Sequence, residues 1–161
     1  MVKVREVSSP RDIREFIEFP LRLYKKCRYF VPPLYSDEKK LLKSGGQNEN
    51  AESVFFLAEK DGVTAGRIQG IIQKQYNEAS GTRTARFTRF DSADDAEISG
   101  ALFSAAEKWA ASKGMEYICG PLGYSDLDRE GLLVEGFEEN STFEEQYNYD
   151  YYPSLVEKYG F

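Results

Sequence analysis

The 161-residue chain contains no histidine. That removes the usual general base of Ser-His and Cys-His enzymes and the commonest metal ligand, so any chemistry falls to carboxylates, tyrosines, backbone amides or water. A glutamate whose pKa is raised by burial can take the proton of an ammonium substrate. Glu59, ending an apolar run, and Glu116, ahead of Gly120, can both face a central cleft, the alternative being two solvated strand residues. Tyr147, Tyr149, Tyr151 and Tyr152 can line an amine pocket through cation–π contact, or cover the edge of a core. Arg67, Arg83, Arg86 and Arg89 offer charge to a phosphate, or form a solvated strand face. Cys27 and Cys119 have no metal-ligand spacing and read as reduced, small apolar side chains, so no metal is expected.

Such groups need a core to position them, and 41% hydrophobic residues with 14% aromatics supply one for a single α/β domain over 1–161. The net charge of −6, from 27 acidic against 21 basic residues, repels phosphate backbones, so no nucleic-acid partner is expected. No run approaches the roughly 18 apolar residues of a membrane span, and the first residues lack a signal-peptide pattern. A cytoplasmic protein without a membrane partner is the expectation.

Val2, Val4 and Val7 are spaced as a strand, and Ser9-Pro10-Arg11-Asp12 reads as a helix start with Ser9 as cap. The helix has its apolar stripe at Ile13, Phe16, Ile17, Leu21 and Tyr24, with Pro20 bending or dividing it. Pro32-Pro33 excludes helix, a short helix spans Asp37 to Lys43, and Ser44 to Glu52 reads as a loop. Runs from Ser53 to Glu59 and from Thr64 to Gln73 pair as a hairpin around Asp61-Gly62. Gly66 and Gly70 within the second run signal a bulge or close approach. Asn77 to Arg83 reads as a loop, Thr84 to Phe90 as a strand, and Asp94 as the cap of a long helix stopped by Gly114. Met115 to Cys119 reads as a buried strand and Tyr152 to Tyr159 as a final helix.

The segment from Phe56 through Asp61-Gly62 to Ile68 resembles the second and third strands of the GNAT (GCN5-related N-acetyltransferase) superfamily, and Leu155 to Gly160-Phe161 resembles its closing helix. Tyr29-Phe30-Val31-Pro32-Pro33-Leu34, Gly120-Pro121, Gly131 to Phe137 and Tyr147 to Tyr152 resemble the N-terminal part of longer, little-characterised bacterial GNAT-like proteins. The resemblance implies a GNAT-like mixed sheet with flanking helices, lacking the last strands, and an N-acyltransferase moving an acyl group from acyl-CoA to an amine. It places the donor along the fourth strand at Phe87, Thr88, Arg89 and Phe90, with Ser92 beyond, and its pyrophosphate at the next helix N-terminus. Aligned on Gly160-Phe161, the superfamily's thiolate-protonating tyrosine falls at Val156, and Tyr152, one turn earlier, is the substitute.

The sequence departs from that pattern where the pyrophosphate would lie. Phe90 to Glu97 has no glycine and carries four carboxylates, Asp91, Asp94, Asp95 and Glu97. Two functions therefore stand: a GNAT-like N-acyltransferase or degenerate relative acting on a small amine, and a non-catalytic module binding another protein or ligand. The strand at Met115 to Cys119 is expected to lack a neighbour on one side, to be covered in a homodimer or by the further strands of longer relatives.

Overall fold

A computed structural model gives the structure of residues 1–46, 49–142 and 144–161; positions 47 and 48 of the stretch read as a loop lie outside the described residues. The order is β1 (Val2–Glu6), α1 (Pro10–Leu23), α2 (Tyr35–Lys43), β2 (Ala51–Lys60), β3 (Val63–Gln73), α3 (Lys74–Ser80), β4 (Thr84–Ser92), α4 (Ala96–Ser112), β5 (Tyr117–Cys119) and α5 (Tyr152–Glu157). Among the described residues, five strands form one sheet in sequence order. β1 to β4 are antiparallel neighbours, and β5 joins β4 in parallel. The Asp61-Gly62 hairpin forms as expected, with both residues at positive φ, 54° and 79°.

α4 lies on one face of the sheet, and it can approach closely because β3 carries glycines. A Cβ at Gly66 would stand 2.8 Å from the Leu102 side chain, and one at Gly70 2.8 Å from the Trp109 ring. Phe87, Phe90, Leu102 and Phe103 fill this layer, each side chain contributing about 1.5–3 kcal/mol of burial. On the other face, Phe16 and Ile17 of α1 pack with Leu42 of α2 against Phe55 and Leu57.

Several elements differ from the sequence reading. α3 occupies part of the stretch read as loop, and Gly81 ends it in the left-handed conformation. α4 is capped by Asp95, not Asp94, whose side chain is one residue too early to reach the helix amides. β5 has three residues, starts after Glu116 and leaves Tyr117 69% exposed, so it is an edge strand and not a buried one. Pro20 does not divide α1, which runs on to Leu23.

Candidate functional site

A β-bulge in β4 shapes the site. The register steps from Gln69↔Thr88 to Arg67↔Asp91, so Ile68 alone faces Arg89 and Phe90. Arg89 takes φ 47°, a left-handed conformation that costs a non-glycine residue about 1–3 kcal/mol unless its surroundings hold it. They do hold it. Glu38 of α2 accepts from Arg89 Nε and Nη2 at 2.8 to 3.1 Å, and Gln69 accepts from Nη1 at 2.8 Å. Gln69 in turn donates to Ser53 and to the Tyr124 hydroxyl. Burial alone pushes the Glu38 carboxyl up in pKa, yet Arg89, Arg67 and Arg129 outweigh it and keep it below the ordinary glutamate range.

The second buried network begins at Asp91, where β4 rejoins β3. Arg67 Nε donates to Asp91 Oδ2 at 2.8 Å, and Arg67 Nη1 donates to the Phe16 carbonyl at 2.9 Å. Asp91 Oδ1 accepts from the hydroxyls of Tyr24 at 3.0 Å and Tyr152 at 3.3 Å. The two hydroxyls lie 2.8 Å apart, and Tyr152 also accepts from the Ser92 amide at 3.1 Å. Burial, followed by the Asp91 carboxylate, pushes both phenols well above the ordinary tyrosine range.

These networks form the floor of a cleft of about 280 Å³ between α2, β4 and the loop around residue 128. Glu38, Arg67, Arg89 and Asp91 reach it from below. Asp37, Asp128 and Glu144 stand around it with Arg129, so five carboxylates face three guanidiniums and the cleft is net acidic. Its lip is apolar where Leu34 and Leu127 stand 62% and 88% exposed. The arrangement suits a molecule with a cationic head and an apolar body.

The structure divides the residues singled out from sequence. Thr88 and Arg89 line the cleft, whereas the rings of Phe87 and Phe90 pack into the core against Phe103. Ser92 gives its amide to Tyr152 and its carbonyl to Tyr151. Tyr152 is 0% exposed and reaches the cleft only through Asp91. Glu59 and Glu116 are not brought to the cleft: Glu59 pairs with Arg5 on the β1 side, and Glu116 pairs with Arg83 at the surface. Arg67 and Arg89 are not a solvated face, since tertiary partners on α1 and α2 bury them. Glu38, Asp91, Gln69 and Tyr24 carry no local motif that would mark them. Pro20 is the one sequence signal for this region, because a proline inside a helix frees the carbonyl four residues earlier, here Phe16.

The residues at the start of α4 do not fit a pyrophosphate. Asp95 accepts the Glu97 amide at 2.9 Å, and Lys60 is held by Asp95 and Glu97. The Tyr159 hydroxyl donates to the Ala96 carbonyl at 2.5 Å, and its ring lies where any side chain at Gly100 would project. The Glu97 amide and the Lys60 cation are thus engaged, with carboxylates beside them.

No protein-family model matches the chain. It is 30% identical over 161 residues to Protein YghO of Escherichia coli K12, covering 98% of this chain and 41% of that protein. It is 31% identical over 140 residues to the bacterial ceramide synthase of Caulobacter vibrioides, covering 85% of this chain and 36% of that protein. The chain thus spans about two fifths of the curated relatives it matches. Among solved structures, a GNAT-family acetyltransferase from Staphylococcus aureus Mu50 superposes with a TM-score of 0.56 at 16% identity, over 76% of this chain and 74% of that one. A predicted acetyltransferase from Clostridium acetobutylicum, crystallised with acetyl-CoA, gives 0.54 at 14% identity, over 74% and 79%. The chain has the GNAT fold, a mixed sheet with flanking helices. Among the described residues, no helix is long and apolar enough to cross a membrane.

Proposed function

We propose that the chain is the acceptor-binding module of a longer GNAT-type N-acyltransferase, holding an amine above the β4 bulge. The observation that carries this reading is the charge of the cleft. Its buried cations are matched by Glu38 and Asp91, so the remaining carboxylates leave a negative field for an ammonium group. The named activity of the Caulobacter relative supports the reading, since a ceramide is a fatty amide of a long-chain amine. Within the cleft, Asp37, Asp128 and Glu144 orient the cation, and Leu34 and Leu127 shield its apolar body from water. Asp91 stands on the wall, held there by Arg67 and by the hydroxyls of Tyr24 and Tyr152. On this reading the start of α4, with its capped amide and its carboxylates, does not hold acyl-CoA.

A second reading, a non-catalytic binding module, draws on the occupied N-terminus of α4. Binding of octylamine and octanol, followed by NMR chemical shifts, separates the two. The acceptor reading expects octylamine to bind at the cleft and octanol about tenfold or more weaker, with the preference lost in Asp37→Asn/Glu144→Gln. Equal binding of both compounds, or none, leaves the non-catalytic module.

A further inference from the structure

We propose that the groove between α1 and α2 docks the chain on the anionic phosphate headgroups of a lipid bilayer. This goes beyond the acceptor reading and rests on a different surface. The groove, about 600 Å³, is lined by Arg11, Arg14, Lys39 and Lys43 with Pro10, Ile13 and Tyr35, and no carboxylate lines it.

The basic character is local. Residues 1–50 carry 11 Lys and Arg against 7 Asp and Glu, although the whole chain is −6. On α1, the acids point to other partners: Asp12 accepts from the Ser9 amide and pairs with Arg5, and Glu15 meets Arg5 and Thr64. Glu18 is 3.6 Å from Arg14. Among the described residues, Arg11, Lys39 and Lys43 make no ion pair, so three cations are free for an external anion.

α2 shows the same division by helical spacing. Tyr35, Lys39 and Lys43 recur every four residues on one stripe, while Asp37 and Glu38 turn toward the acidic cleft. Tyr35 is 42% exposed at the head of the basic stripe, and half-buried Ile13 lines the same groove. An aromatic ring and an aliphatic side chain next to lysines suit the boundary between headgroups and acyl chains, where amphipathic side chains bury their apolar parts and keep their charges in water. An acidic protein surface would match the cations but would gain little from a tyrosine ring held in solvent. The lack of a spanning helix bears on crossing a membrane, and this docking needs no crossing.

The test is co-sedimentation of the full chain with phosphatidylcholine vesicles containing about one quarter phosphatidylglycerol, against phosphatidylcholine alone. Binding to the anionic vesicles, weakened by salt and at least about tenfold by Lys39→Glu/Lys43→Glu, supports the proposal. Lys108→Glu/Lys158→Glu makes the same charge change on exposed residues away from the groove and should bind as the parent does. Failure to bind anionic vesicles, or equal loss in both double variants, overturns it. Circular dichroism of each variant reports folding, and no acyl donor or amine is present, so this result and the acceptor result fail separately.

Discussion

Arg67 donates to the carbonyl of Phe16, the group that Pro20 leaves without its helical partner. The proline that would ordinarily weaken α1 therefore creates the acceptor that fixes the guanidinium, and the guanidinium fixes Asp91 at the cleft wall.

Arg67→Met should cost about 3–5 kcal/mol in urea unfolding, because it leaves the Asp91 carboxylate buried without its cation. Arg67→Lys should recover only part of that loss, since one ammonium cannot reproduce the planar fork that spans Asp91 and Phe16. A loss below about 1 kcal/mol for Arg67→Met would show that the pair contributes little to holding the wall.

Tyr152→Phe should destabilise by about 1–3 kcal/mol, by leaving the Ser92 amide unsatisfied in the core. Tyr24→Phe removes a donor to the same carboxylate, so the double variant should depart from additivity by about 0.5 kcal/mol or more. Simple addition would mean that the two hydroxyls act independently of each other.

At Arg89, backbone and side chain can be separated. Arg89→Ala loses the Glu38 clamp and keeps the unfavourable φ, whereas Arg89→Gly loses the clamp and relieves the backbone. The glycine variant should therefore be the more stable of the two by about 0.5–1 kcal/mol in thermal unfolding. If alanine proves the more stable, the left-handed conformation at Arg89 is incorrect.

Two pH limbs follow from the buried groups. Tyr24 and Tyr152 have folded pKa values above the ordinary 10.0, so their contribution is complete below pH 10 and is lost as pH rises above it, where the unfolded chain releases their protons first. Glu38 lies below the ordinary 4.5, so its contribution is present above pH 4.5 and is lost as pH falls toward its folded value. Melting temperatures across pH should show both limbs, and Tyr24→Phe should flatten the alkaline one.

The hairpin was legible because Asp61-Gly62 meets a turn requirement locally, and the start of α1 because Ser9 and Asp12 form a capping box within one turn. The GNAT fold was expected from the resemblance of Phe56 to Ile68 and of Leu155 to Phe161 to that superfamily. The cleft was not legible, because its charges meet only through tertiary structure: Glu38 reaches Arg89 across 51 positions, and Tyr24 reaches Tyr152 across 128. Glu59 and Glu116 lie apart from the cleft, because strand position alone does not say which carboxylates find an arginine on the outer side. The acidic start of α4 was visible in the run from Asp91 to Glu97, but the cap falls on Asp95 and not on Asp94, because only the residue next to the helix reaches the Glu97 amide.

Calorimetric titration of the chain with CoA and acetyl-CoA tests most directly the claim that these residues hold an acceptor and not the donor. The α4 N-terminus has its cap on its own amides and carboxylates beside them, so no saturable heat is expected at physiological salt, corresponding to a Kd of about 1 mM or weaker. A Kd in the low micromolar range, about 1–10 μM, would contradict the account and place the acyl donor on this chain.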